Sequence, residues 1–234
     1  MQINQFTTVA EATASAGETL NTLLKQAQPT PILLLLSAGS ALTILDYINA
    51  TSMGENLTIT MLDERFSPEP DANNFLQLQK LEFYTLALNA NVNFIGTLPR
   101  INENRNDMQT RLEISITNWI KNHPNGKIFA TIGMGADGHT AGIFPTSDIH
   151  FFETAFEGPH LITAYQAETG HKYLERVTAT FSLFKLIDEA IVFICGIDKQ
   201  LKFKTLVAGK AQTNDLPIMG IVQTKHFQIF TDIP

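Results

Sequence analysis

The chain has one cysteine in 234 residues, so Cys195 has no partner within it. A disulfide framework of the kind that staples small secreted domains is excluded, and a reducing, cytoplasmic setting is expected. Charge is sparse. Asp, Glu, Lys and Arg make up 17% of the chain, and 23 acids against 16 bases leave a net charge of -7. There is no general attraction to nucleic acid or to an anionic membrane surface, so neither is expected as a partner and any bound anion needs a local site. No apolar run approaches the roughly 20 residues of a membrane-spanning helix. Residues 1–17 lack the basic start and apolar stretch of a signal peptide. There is no Pro-, Gly- or Ser-rich linker, no block of like charge and no repeat. With 44% hydrophobic residues available for a core, a single domain over residues 1–234 is expected, as a monomer or small homo-oligomer.

What the chain does have is an alternation of two patterns. Short continuous apolar runs at residues 32–36, 57–62, 128–132 and 190–195 read as strands buried on both faces. Between them, residues 8–26, 41–50, 105–122 and 198–208 have helical spacing. Strands alternating with crossover helices predict an α/β fold, a mainly parallel twisted sheet with helices on both faces, of the doubly wound, Rossmann-like kind.

In such sheets ligands bind beyond the carboxyl ends of the strands, and there the chemistry-bearing residues collect. The first run ends in Ser37-Ala38-Gly39-Ser40, a small-residue turn into a helix expected near Ala41, where backbone N–H groups can approach a phosphate. An ordinary βα turn has the same composition. The second run ends in Asp63-Glu64-Arg65, with Pro68 and Pro70 expected to hold the next segment extended. Three charges at a strand end can be a solvated turn, but Arg beside acids also suits recognition of phosphate and hydroxyls. All four strand ends are expected to share one crevice.

The third run leads into Gly133-Met134-Gly135-Ala136-Asp137-Gly138-His139, which meets the G-x-G-x-x-G spacing of a dinucleotide fingerprint. Its context does not. Pro145 interrupts the helix the fingerprint requires, and Glu157, at a tolerable offset for the ribose acid, lies in a turn-like Phe156-Glu157-Gly158-Pro159. The glycines instead allow a tight turn with Asp137 and His139 at its rim and amide donors nearby for an oxyanion. His139 is the strongest general-base candidate; His123, His150, His160, His171 and His226 have no comparable setting. The histidines lack paired metal-ligand spacing, and no G-x-S-x-G elbow exposes a nucleophilic serine, so water is the expected nucleophile. Arg176, read as lying just ahead of a helix capped by Thr178 or Thr180, and Lys199, after the fourth run, fit a phosphate clamp or plain surface charges.

Taken together, Ser37-Ala38-Gly39-Ser40, Asp63-Glu64-Arg65, the Asp137-Gly138-His139-Thr140-Ala141 loop continuing to Phe144-Pro145, and Arg176-Val177-Thr178 resemble the 6-phosphogluconolactonases of the pentose phosphate pathway in order and spacing. The resemblance covers nearly the whole chain. It implies hydrolysis of a phosphorylated sugar lactone without cofactor or metal. His139 would be the base, with Asp137 orienting it. Gly39, Ser40, Asp63, Arg65, Asn74, Gly135, Arg176 and Lys199 would contact the substrate and its phosphate. The chain departs from the family pattern at Ala38, at Ala41-Leu42 and at Glu175, where a glycine, Thr-Pro and a proline are usual. Glu175 would set a negative charge beside Arg176.

Two rivals remain. A glucosamine-6-phosphate deaminase shares a Gly-rich Asp-Gly-His loop, and Asp63 could abstract its proton, yet the acid those enzymes carry after the histidine is absent. A non-catalytic sugar-phosphate sensor would account for the departures.

Overall fold

The computed structural model describes residues 1–67, 69–168 and 172–234; Pro68 and His171 lie outside them. Seven strands form one sheet in which every pair is parallel: β1 (Gln2–Gln5), β2 (Ile32–Leu36), β3 (Leu57–Met61), β5 (Asn93–Phe94), β6 (Lys127–Gly133), β9 (Glu189–Phe193) and β10 (His226–Thr231). Their spatial order is β1-β10-β9-β6-β2-β3-β5. From β2 the chain winds outward through β3 and β5, then returns to β6 on the other side of β2 and winds outward again through β9 and β10. Between β2 and β6 the direction of winding reverses, and the loops leaving their carboxyl ends part to open a crevice.

The four apolar runs are strands because each is covered twice. In β2, Ile32, Leu34 and Leu36 pack with α1 (Val9–Ala27), while Leu33 and Leu35 pack on the opposite side with α4 (Arg105–Asn122). A strand buried on both faces has no polar alternation to show. Thr8 closes a capping box on α1, and Asn104 does the same for α4, so both helices begin where the sequence places them. The remaining helices are short: α2 (Asn74–Gln79), α3 (Glu82–Asn89), α5 (Ile149–Phe152), α6 (Phe181–Phe184) and α7 (Gln200–Ala208). Among the described residues no helix is long and apolar enough to cross a membrane.

Several local expectations are corrected. The segment after β2 is a 3-10 helix, Gly39–Tyr47, rather than an α-helix from Ala41. Its buried residues, Ala41, Leu42, Ile44 and Leu45, are spaced i, i+3 and i+4, a pattern that an α-helix and a 3-10 helix both bury on one face, so the sequence pattern does not tell the two apart. Gly17 lets it lie close on α1, since a Cβ there would sit 2.5 Å from the Tyr47 Cβ. Pro70 does not extend the chain; it opens a 3-10 turn, Pro70–Ala72. Glu157 closes a π-helical turn, Glu153–Glu157.

The sheet expected from sequence also has a companion. Asp63-Glu64-Arg65 is not a strand end but a strand, β4 (Asp63–Arg65), antiparallel to β8 (Glu175–Ala179), which pairs with β7 (Ile162–Gln166). Leu62 joins the two sheets: its N–H donates to Leu36 O at 2.8 Å, and its carbonyl accepts from Ala179 N at 2.7 Å. The free edge of β7 is closed by α4, where Glu113 accepts from Leu161 N and Ile162 N and Gln109 accepts from Ala164 N. Arg176 therefore lies within a strand and not ahead of a helix. Thr180 occupies the N-cap position of α6 without a side-chain capping bond, because its hydroxyl donates to His160 O instead.

Candidate active site

The crevice at the β2/β6 divide is a cavity of about 360 Å³. All four segments singled out in the sequence reach it. Ser37, Ala38, Gly39 and Ser40 come from the loop after β2, and Asp63 and Arg65 from β4. Gly133 comes from the end of β6, and Gly135, His139 and Phe144 from the segment after it, with Arg176 from β8 and Lys199 from the turn before α7.

Ser37 fastens the first two loops together. Its N–H donates to Thr131 O at 3.1 Å, and its Oγ accepts from Gly133 N at 3.2 Å. Thr140 then returns its hydroxyl to Gly133 O at 2.9 Å, turning the glycine loop back so that His139 faces the cavity.

The imidazole is held on three sides. Nδ1 lies 2.6 Å from Asp137 Oδ1, and the same oxygen accepts from His139 N at 3.1 Å. A carboxylate only accepts, so in the neutral imidazole Nδ1 carries the proton and Nε2 keeps its lone pair. On one face stands the Phe144 ring, 4.7 Å away between centroids. On the other is Gly135, where a Cβ would fall 2.1 Å from His139 Cε1 and 2.2 Å from Nδ1. Gly135 N donates to His139 O at 2.9 Å, so Gly135 contributes space here and its amide is engaged within the loop. Burial pushes the Asp137 carboxyl up, but the hydrogen bond and charge of His139 outweigh it and bring it down to about 2.

Opposite the histidine is a concentration of positive charge. Arg176 is 6% exposed; its Nη1 lies 3.8 Å from Asp63 Oδ2, and its guanidinium sits 5.0 Å from the Phe144 ring centroid. Burial lowers its pKa, Asp63 raises it and Arg65 lowers it again. Arg65 is braced by donating Nη1 to Ala72 O at 2.9 Å, and Lys199 by donating Nζ to Cys195 O at 2.8 Å. Each brace uses one donor and leaves others for a ligand. Cys195 itself is buried, which pushes its thiol up to about 12, as befits a structural cysteine.

Asn74 does not reach the cavity. As the first residue of α2 it is fully buried, donating Nδ2 to Asp63 O at 2.9 Å, and so it supports β4 from behind. The feared effect of Glu175 is absent as well. Strand alternation turns it away from Arg176, and it pairs with Arg105 at 3.6 Å. Ala41 is buried and not in the cavity wall. Sequence reasoning missed Phe144 as a wall shared by base and cation; its place in the Phe-Pro end of the loop was the available signal. It placed Ser37 in the phosphate turn but did not read its bond to Gly133 N, which ties that turn to the glycine loop.

This is an α/β protein whose switch-point crevice brings His139 together with Arg65, Arg176 and Lys199. The sequence model describing glucosamine-6-phosphate isomerases and 6-phosphogluconolactonase matches residues 5–231. The chain belongs to that family. A curated relative, the 6-phosphogluconolactonase of Neisseria meningitidis serogroup A, is 23% identical over 219 residues, covering 92% of this chain and 91% of the relative. Among solved structures, a 6-phosphogluconolactonase from Shewanella baltica aligns with a TM-score of 0.77 at 20% identity, covering 99% of this chain and 96% of its own. The Trypanosoma brucei 6-phosphogluconolactonase aligns at 0.73 and 18% identity, covering 98% and 95%.

Proposed function

We propose that the chain, read as one domain over residues 1–234, is a cytoplasmic 6-phosphogluconolactonase, a monomer or small homo-oligomer that needs no nucleic acid or membrane. The observation that carries this reading is the Asp137–His139 pair at 2.6 Å, which in the neutral imidazole presents the Nε2 lone pair, with His139 in the wall of a cavity that Arg65, Arg176 and Lys199 also line. Within the family, this arrangement suits hydrolysis better than deamination, because residues 140–145, directly after His139, do not include the acid that the deaminases carry there.

In the reaction, Nε2 takes a proton from water as the water oxygen attacks the lactone carbonyl carbon. The tetrahedral oxyanion is met by the positive field of the wall. On its collapse the ring C–O bond breaks, and the proton held by His139 passes to the departing ring oxygen, giving 6-phosphogluconate. Asp137 keeps the imidazole in the correct tautomer and steadies its cationic form. Arg65, Arg176, Lys199 and the Gly39-Ser40 turn hold the phosphate and neighbouring oxygens, while Asp63 accepts from sugar hydroxyls.

The test is the decay of freshly generated 6-phosphogluconolactone by NMR or pH-stat against the spontaneous rate, for wild type and His139→Ala. Acceleration that falls by about 100-fold or more in the variant is expected. Ammonia release from glucosamine 6-phosphate, or binding of 6-phosphogluconate without turnover of the lactone, would overturn the reading in favour of a deaminase or a sensor.

A further inference from the structure

Between the two cavity-facing residues of β4 is an acid that the cavity never meets. Strand alternation turns Glu64 to the face opposite Asp63 and Arg65, and it is fully buried. Its carboxylate accepts four hydrogen bonds. Oε1 receives Arg65 N at 2.9 Å and Asn74 N at 2.6 Å; Oε2 receives Phe75 N at 3.0 Å and the Thr97 hydroxyl at 2.9 Å. Asn74 and Phe75 open α2, where N–H groups lack partners within the helix.

The same stretch of chain grips β4 at further points. Asn74 Nδ2 donates to Asp63 O, Asn73 Nδ2 to Arg65 O at 3.0 Å, and Arg65 Nη1 to Ala72 O. β4 is three residues long and lies at the edge of its sheet, paired only with β8. So short a ladder does not fix its own register. The four bonds on Glu64, with those of Asn73, Asn74 and Arg65, give β4 the further points of attachment that the ladder lacks.

We propose that Glu64 is a positioning residue for anion recognition: it holds β4 so that Asp63 and Arg65 stand against Arg176, and it acts on ligand affinity, not on proton transfer at His139. The proposal rests on the reading of the cavity as a phosphosugar site. Glu64→Gln keeps the volume but turns an NH2 group toward donors, so either Arg65 N and Asn74 N, or Phe75 N and the Thr97 hydroxyl, lose their acceptor. The residue lies behind the strand, so its effect reaches the substrate only through Asp63 and Arg65.

The experiment measures kcat and KM for the lactone, calorimetric Kd for 6-phosphogluconate and for inorganic phosphate, and circular dichroism, in wild type, Glu64→Gln and Thr97→Val. For Glu64→Gln, KM and both Kd values are expected to rise about tenfold, with kcat within about threefold of wild type. Thr97→Val, which removes one of the four donors, should give the same split at roughly two- to threefold. It carries the test if Glu64→Gln does not fold. Unchanged Kd values in a folded, less stable variant would overturn the proposal in favour of a merely structural role, and a fall in kcat at constant KM would equally overturn it. Wild type that binds phosphate without hydrolysing the lactone sinks the enzyme reading alone; the Kd comparison still decides the role of Glu64.

Discussion

Arg65 and Arg176 stand directly opposite one another in the antiparallel pairing of β4 with β8, so two guanidinium groups project from the same face into one cavity. Like charges in that arrangement repel, and Asp63, 3.8 Å from Arg176, offsets only part of it. On the proposed reading, a bound dianion would complete the balance. Thermal unfolding should therefore rise with 6-phosphogluconate or inorganic phosphate, by about 2.7 kcal/mol at a hundred times Kd. Arg65→Gln should lose most of that response. A variant that keeps the full ligand-dependent rise would place the anion elsewhere.

Gly135 is the residue on which His139 leans. Any side chain there lands 2.1 to 2.2 Å from imidazole atoms, so Gly135→Ala must displace the ring from Asp137. Activity should fall about 100-fold or more while the circular dichroism spectrum is unchanged. Near-normal kcat in this variant would mean the base is not His139.

For Asp137→Asn, kcat should drop by about two to four orders of magnitude with KM little changed, because a neutral amide neither fixes the tautomer nor steadies the imidazolium. The same pair gives a pH signature. The carboxyl is held at about 2 against an ordinary 3.8. Its contribution to stability is therefore present above pH 3.8 and lost as pH falls through about 2. With both side chains partly exposed, that contribution is below about 1 kcal/mol. Acid unfolding of wild type and Asp137→Asn, compared between pH 2 and 4, measures it.

Glu64 gives the opposite sign. Burial pushes its carboxyl up to about 7 from 4.5, against the pull of three backbone N–H groups, with Asp63 adding to the rise. Its favourable contribution to folding is thus fully present below pH 4.5 and lost as pH rises through about 7. Urea unfolding should show that slope in wild type, and Glu64→Gln should flatten it.

Glu175 is the departure from the family pattern whose effect the structure reverses. Because it faces Arg105 rather than the cavity, Glu175→Gln should leave KM within about twofold. A larger drop in KM would mean its charge does reach the anion.

The sequence alone determined the buried strands, because five adjacent apolar residues such as those of β2 are stable only between two layers. It also determined the capped starts of α1 and α4, since the Thr8 and Asn104 caps are local chemistry. That His139 and Lys199 meet was legible too, because strand ends in a parallel sheet converge; Asp63, Arg65 and Arg176 reach the same cavity from the second, antiparallel sheet. What only the tertiary structure decided is direction. Whether a side chain of β4 or β8 meets the cavity depends on strand alternation within a second sheet whose three-residue strand carries no periodicity to read. That alternation turned Arg176 inward and Glu175 outward, and it set Glu64 behind β4, where the start of α2 brings Asn74 to meet it. The partners of Glu64 are 1 to 33 positions away in the chain, and no pattern in one dimension joins them; they meet because burying a carboxylate requires donors on every side.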